Sequence, residues 1–155
     1  MHPIEGQIYN FSSYKIQFDD PNQQYYLLLY EDRNKYQTLV NIITYDKNFN
    51  HWICVYAKLL KNYIGIRIYN TFWNLTSSKV LALYSTGIGS GGFISYLVLG
   101  KEDDDILEYV SEKDIFGGSI FFIGDKLIRG TGNQFRVWEK KNGEFILAPY
   151  EMPRY

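Results

Sequence analysis

Ser119-Ile120-Phe121-Phe122-Ile123, then Gly124-Asp125-Lys126, then Leu127-Ile128-Arg129, decides the fold. A β-prone apolar run, a turn signal and a second apolar run fit within eleven residues. That is too short for a packed helix and is the pattern of a β-hairpin. The rhythm repeats at once: 134–139, a turn at 140–143, then 144–147.

The same reading extends towards the N-terminus. Residues 39–45 and 51–58 flank Asp46-Lys47-Asn48-Phe49-Asn50 and read as a hairpin with a five-residue loop. Tyr14, Ile16 and Phe18 alternate with Lys15 and Gln17 at a period of two. Asp19-Asp20-Pro21-Asn22 is a turn, since Pro presets φ and the Asp and Asn side chains bond their own backbone. The apolar run 25–30 predicts a strand buried on both faces. Residues 31–43 admit a short helix, but Thr38, Val40, Ile42 and Ile43 are β-branched and favour a strand. In 62–69, Tyr63, Gly65, Arg67 and Tyr69 share one side and Ile64, Ile66 and Ile68 the other, which predicts the isoleucines as the buried set. Strands are also expected over 79–85, 93–99 and, more weakly, 106–110. No segment carries a 3.6-residue apolar stripe over three turns, so a parallel sheet with helical crossovers is not expected. The expectation is an all-β chain: an antiparallel meander of about ten strands in a sandwich, a partly open barrel or propeller-like sheets.

Composition sets the outer bounds. The chain has 155 residues, 46% apolar and 21% charged, enough for a real core in a single domain over residues 1–155. No linker or low-complexity tract divides it. Sixteen basic against seventeen acidic side chains leave a net charge of -1, which argues against a dedicated nucleic-acid binder. One cysteine, Cys54, excludes an internal disulfide framework and a Cys-rich zinc site. No apolar run reaches the length of a membrane-spanning helix, and the first residues lack a signal-sequence pattern, so a cytoplasmic protein is expected. A secreted or surface-anchored location is the alternative if the chain is a trimmed precursor.

Candidate chemistry is sparse. Gly87-Ile88-Gly89-Ser90-Gly91-Gly92 follows a strand, but a nucleotide fingerprint must open a helix, and Phe93 to Val98 is β-prone. A β-turn or bulge is the expectation there. Glu102-Asp103-Asp104-Asp105 heads a stretch with seven acids and one lysine between residues 102 and 114. Calcium loops interleave acids with glycine, and this run is contiguous, so a solvated loop or a docking point for a basic partner is expected and a metal is not. His51 and Cys54 point to opposite faces of one strand and cannot pair, and Cys54 reads as a small core residue. Trp52 and Trp138 lie inside expected strands and read as packing residues. Tyr69 and Trp73 remain as aromatic contact candidates beside the acids.

The strand and turn pattern from Tyr45 to Phe145 resembles the VCBS/FG-GAP repeat domains, β-propeller-like units of bacterial surface and secreted proteins. The likeness is carried by Tyr45-Asp46 with Trp52 after a polar turn, and by Asn74-Leu75-Thr76 leading into Val80-Leu81-Ala82-Leu83. It continues through Gly89-Ser90-Gly91-Gly92-Phe93, Tyr96 and Val98, Gly117-Gly118-Ser119, Asp125-Lys126-Leu127 and Val137-Trp138-Glu139. It implies a scaffold or adhesion module. The calcium-binding loop of such repeats would fall at 74–79, which holds no Asp, so calcium is not carried over.

The expected function is that of a non-catalytic, cofactor-free protein acting through a protein–protein interface, of the inhibitor or immunity-factor kind. Its contact residues would be Glu102, Asp103, Asp104, Asp105, Tyr69 and Trp73. Buried aromatics would anchor the contact and the acids would steer it. The alternatives are an extracytoplasmic β-repeat module that binds polysaccharide or cell envelope, and a small two-carboxylate hydrolase.

Overall fold

A computed structural model of the chain describes residues 10–86 and 92–153. Among these residues twelve strands follow in chain order. They are β1 (Asn10–Ile16), β2 (Tyr25–Asp32), β3 (Gln37–Asp46), β4 (His51–Lys61), β5 (Arg67–Trp73) and β6 (Ser78–Ser85), then β7 (Phe93–Glu102), β8 (Asp105–Phe116), β9 (Gly118–Ile123), β10 (Lys126–Thr131), β11 (Gln134–Lys141) and β12 (Glu144–Tyr150). They form three four-stranded antiparallel meanders, β1-β2-β3-β4, β5-β6-β7-β8 and β9-β10-β11-β12. The all-β antiparallel meander expected from the sequence is the observed fold, with twelve strands where about ten were expected and no sheet closed into a barrel.

Turn chemistry sets the hairpins. Three of them end a four-residue turn on a left-handed residue: Tyr36 (φ 52°), Asn50 (φ 56°) and Ser77 (φ 55°). In the first two, the Asp that precedes the turn holds it. Asp32 accepts the backbone N–H groups of Asn34 and Lys35, and Asp46 those of Asn48 and Phe49. The last hairpin turns on Asn142-Gly143, both left-handed, the arrangement whose twist matches paired strands.

The sheets are layered, with β5–β8 in the middle. Its inner strands, β6 and β7, are buried on both sides. Leu81, Leu83, Leu97 and Leu99 pack towards the first sheet, against Leu27, Leu29, Val40 and Ile42. Val80, Ala82, Tyr96 and Val98 pack the other way, against Ile120, Leu127, Trp138 and Phe145. Equivalent strands meet across the seams. First strands touch through Asn70, whose amide pairs with the Gln17 backbone, and through Tyr69 against Phe122. Fourth strands touch through Tyr56 and Lys58 on Glu108, and through Tyr109 against Phe145. Third strands touch where Trp138 donates to the Tyr96 hydroxyl.

Two expectations change. In the run 25–30 only Tyr25, Leu27 and Leu29 are buried, while Tyr26, Leu28 and Tyr30 alternate with them on the outer face. The run lies in an end layer, so one of its two apolar faces has no covering sheet. The isoleucine set of 62–69 is corrected as well. Asn62 (φ 66°) and Gly65 (φ 62°) turn the chain from the first sheet to the middle one, so the strand starts only at Arg67. Tyr63 fills the core on this corner, while Ile64 and Ile66 are half-buried.

Trp73, Tyr109 and Phe145 form an aromatic cluster between the middle and last sheets. Trp73 stacks on Phe145 with ring centres 5.3 Å apart. Tyr109 lies across Gly100, where any Cβ would collide with its ring. Trp73 is 0% exposed, and its indole N–H has no acceptor among the described residues. Trp73→Ala is expected to cost about 3–5 kcal/mol of stability, as for other large aromatic truncations in cores. Trp73→Phe is expected to cost clearly less, because it keeps the stacked ring and removes a buried unpaired donor. Urea unfolding of the two variants checks this order.

Candidate binding surfaces

The sequence-expected acids form the tip of the β7–β8 hairpin. Glu102 pairs with Asp105, so the segment is a two-residue turn at Asp103-Asp104 rather than a long loop, and Asp103 takes a left-handed conformation (φ 54°). All four acids are exposed. The β1–β2 turn brings Asp19 and Asp20 beside them. Burial raises the Tyr25 hydroxyl above its ordinary pKa, and the charges of Asp104 and Asp20 raise it further. Burial likewise lifts the Tyr109 hydroxyl to about 12, helped by Glu102, which accepts its hydrogen bond at 3.2 Å, and by Asp19. One edge of the molecule thus carries Asp19, Asp20 and Glu102 to Asp105. Among the described residues none of these six is in a salt bridge. Asp19 and Asp20 read in the sequence only as turn formers. No local signal brings them to a hairpin tip more than eighty residues away.

The aromatic contact candidates go elsewhere. Trp73 is wholly buried, so it offers a partner no surface. Tyr69 is half-buried in the same seam, stacked on Tyr84 and edge-on to Phe122. Both sit on a middle-sheet face that the last sheet covers, which is why they pack instead of projecting.

Of the two tryptophans read as packing residues, Trp138 packs between the middle and last sheets, and Trp52 does not. Trp52 is 50% exposed on the outer face of the first sheet, edge-on to Tyr26 and Tyr45 with ring centres 5.6 and 5.5 Å away. Phe11 is 55% exposed and leans on Tyr30. A depression of about 360 Å³ beside Trp52 and Tyr45 is lined also by Asn22, Gln23, Gln24 and Lys47. The expected hairpin pairs Tyr45 with Trp52, and that parity was the available signal for a shared outward face. Cys54 lies on the same face, exposed, instead of in the core. The register shift opposite Ile42 and Ile43 bulges β4 at Val55, so Tyr56, not Cys54, turns inward.

Two carboxylates bridge the seams, Glu108 at an exposed edge and Glu112 partly buried. Burial tends to raise the Glu108 carboxyl, but the Lys58 ammonium and the Tyr56 hydroxyl outweigh it and hold its pKa below the ordinary carboxylate value. Their donors approach Glu108 to 2.7 and 2.8 Å. Glu112 accepts the Tyr96 hydroxyl at 2.6 Å and a two-pronged contact from Arg129 at 3.1 and 3.2 Å. The bulge at Tyr109, between the pairs Val98–Val110 and Leu99–Glu108, reverses the parity of β8. Glu108 therefore faces the first sheet and Glu112 the last. They lie on opposite faces of one sheet and do not converge as an acid–base pair.

Among the described residues no three or more His, Cys, Asp or Glu side chains gather as a metal site, and no helix is long and apolar enough to cross a membrane. The glycine string at 87–91 and His2 lie outside the described residues. Gly92 is described, left-handed at φ 64°, and it leads directly into β7 and not into a helix. Compared with known proteins, the chain matches no family model, no curated protein and no solved structure.

The seam tyrosines have a consequence at high pH. Burial, the leading cause in each case, raises the hydroxyls of Tyr56, Tyr63, Tyr96 and Tyr109 above the ordinary tyrosine value. The folded state then holds protons that the unfolded state releases from about pH 10 upward. The stability contributed is complete below pH 10 and is lost as pH rises towards the folded values. Urea midpoints are expected to be flat from about pH 8 to 9.5 and to fall steadily above about pH 10. A midpoint that holds steady to about pH 11.5 would contradict these buried hydroxyls.

Proposed function

We propose that this chain is a non-catalytic binding protein that docks a basic protein surface, in the manner of an inhibitor or immunity-type factor. The convergence of two acidic turns, Asp19-Asp20 and Glu102 to Asp105, on one edge is the observation that carries the reading. The chain as a whole is nearly neutral, so this edge is a local concentration of charge. Such a patch steers an oppositely charged partner and raises its association rate more than its final affinity. Glu102 to Asp105 sit on a tight turn closed by paired strands, so their binding demands little ordering of the backbone.

A polysaccharide-binding module of the bacterial β-repeat kind is the competing reading. The depression beside Trp52 and Tyr45, with its amide and lysine rim, favours it. The two readings use different surfaces, so variants separate them.

A tagged full chain is expected to retain a protein partner at low salt and to lose it steeply as salt rises. The double variant Asp104→Lys, Asp105→Lys is expected to slow association by about tenfold or more, while Trp52→Ala leaves it unchanged. Retention on cell-envelope polysaccharide that Trp52→Ala abolishes and the charge reversal does not would favour the competing reading. Turnover of a substrate by the purified chain would end both.

A further inference from the structure

Among the described residues, the two end sheets each leave a largely apolar face without a covering layer. On the first sheet, Phe11, Tyr26, Leu28, Tyr30, Ile43 and Trp52 share the outer face. On the last sheet, Phe121, Ile128, Val137 and Ala148 stand opposite one another in register, with Phe135 and Ile146 on the same face, while Lys126, Glu139, Lys141 and Glu144 border them towards the far hairpin turn. Ile128 and Val137 are buried on that face, beside the Phe121 and Phe135 rings, which lie 6.1 Å apart. The sequence writes β2 and β9 as continuous apolar runs, the pattern of strands covered on both faces. In β6 and β7 that pattern is satisfied by a sheet on either side. In β2 and β9 it is satisfied on one side only.

We propose that a second copy of the chain supplies the missing layers. The outer face of the last sheet in each copy seats on the outer face of the first sheet in the other, and the pair closes through two equivalent contacts. This continues the seam already made twice within the chain, in which each meander turns its far face to the next with equivalent strands apposed. The area decides between one contact and two. Four strands about 4.8 Å apart and about seven residues long present roughly 450 Å². One face-to-face contact buries about 900 Å² in total, short of the about 1,200–2,000 Å² of stable interfaces, whereas two bury about 1,800 Å². The pairing is independent of the acidic edge, which lies on the hairpin turns.

Analytical ultracentrifugation of the full chain over a wide concentration range tests it. The expected species is a dimer. Trp52→Glu on one face and Phe121→Asp on the other are each expected to lower self-association at least tenfold. Equimolar mixing of the two variants is expected to restore part of it, since one intact contact re-forms. Far-UV circular dichroism checks that both variants keep the fold. The wild-type chain gives a second readout: thiol labelling of Cys54, on the first-sheet face, is expected to slow as concentration rises. A wild-type chain that stays monomeric, or Cys54 labelling that ignores concentration, overturns the proposal. So does a Phe121→Asp chain that dimerises normally, which would mean the first-sheet faces pair with each other. Open-ended polymers would mean that the contact forms without closing, and they also overturn the closed pair.

Discussion

Burial of the middle sheet on both of its faces is the constraint on which the structure depends. Val80-Leu81-Ala82-Leu83 in β6 and Tyr96-Leu97-Val98-Leu99 in β7 alternate between two separate cores. Odd positions among the leucines face the first sheet, and even positions face the last. Neither outer sheet has a second described layer to pack on, so each depends on this one. The driving force is the removal of apolar area from water on both sides of a single pair of strands. Shape complementarity at the seams then specifies how the sheets sit, with Ile94 of the middle sheet over Gly118 of the last, where a Cβ would collide.

The polar groups follow from that layering. At the seams a carboxylate gains from partners, the more so for the less exposed Glu112, because desolvating an unpaired charge is costly. The bulge at Tyr109 lets one strand, β8, place Glu108 in one seam and Glu112 in the other. Lys58 with Tyr56, and Arg129 with Tyr96, satisfy them. These networks tie fourth strand to fourth strand on one side and join β8 to β10 on the other. Their groups are engaged with each other, and they read as connectors between layers.

What remains for recognition lies at the periphery. The hairpin tips gather acids on one edge, and the two end layers show aromatic and aliphatic faces. Those features differ in kind. The first is charge concentrated on rigid turns, suited to fast, salt-sensitive association with a basic surface. The second is apolar area that repeats the internal seams, suited to a partner with the same sheet face.

The local order of the chain was legible without coordinates: alternation at a period of two, hairpin turns marked by Asp, Asn and Gly, and the lack of a helical stripe led to an antiparallel meander. Those properties act between residues close in sequence. The assembly of three layers was not legible, because it depends on which face of each strand meets which sheet. A continuous apolar run such as 25–30 has the same composition in a middle layer and in an end layer. The candidate site divided in the same way. Glu102 to Asp105 were found because a contiguous acidic run announces itself. Asp19 and Asp20 joined them only through the packing of distant turns, and Trp73 left the list because a covering sheet closed over it. The amino-acid sequence determined strands, turns and the stock of charged and aromatic groups; tertiary packing alone decided which of them face water, since exposure is set by contacts between segments far apart in the chain.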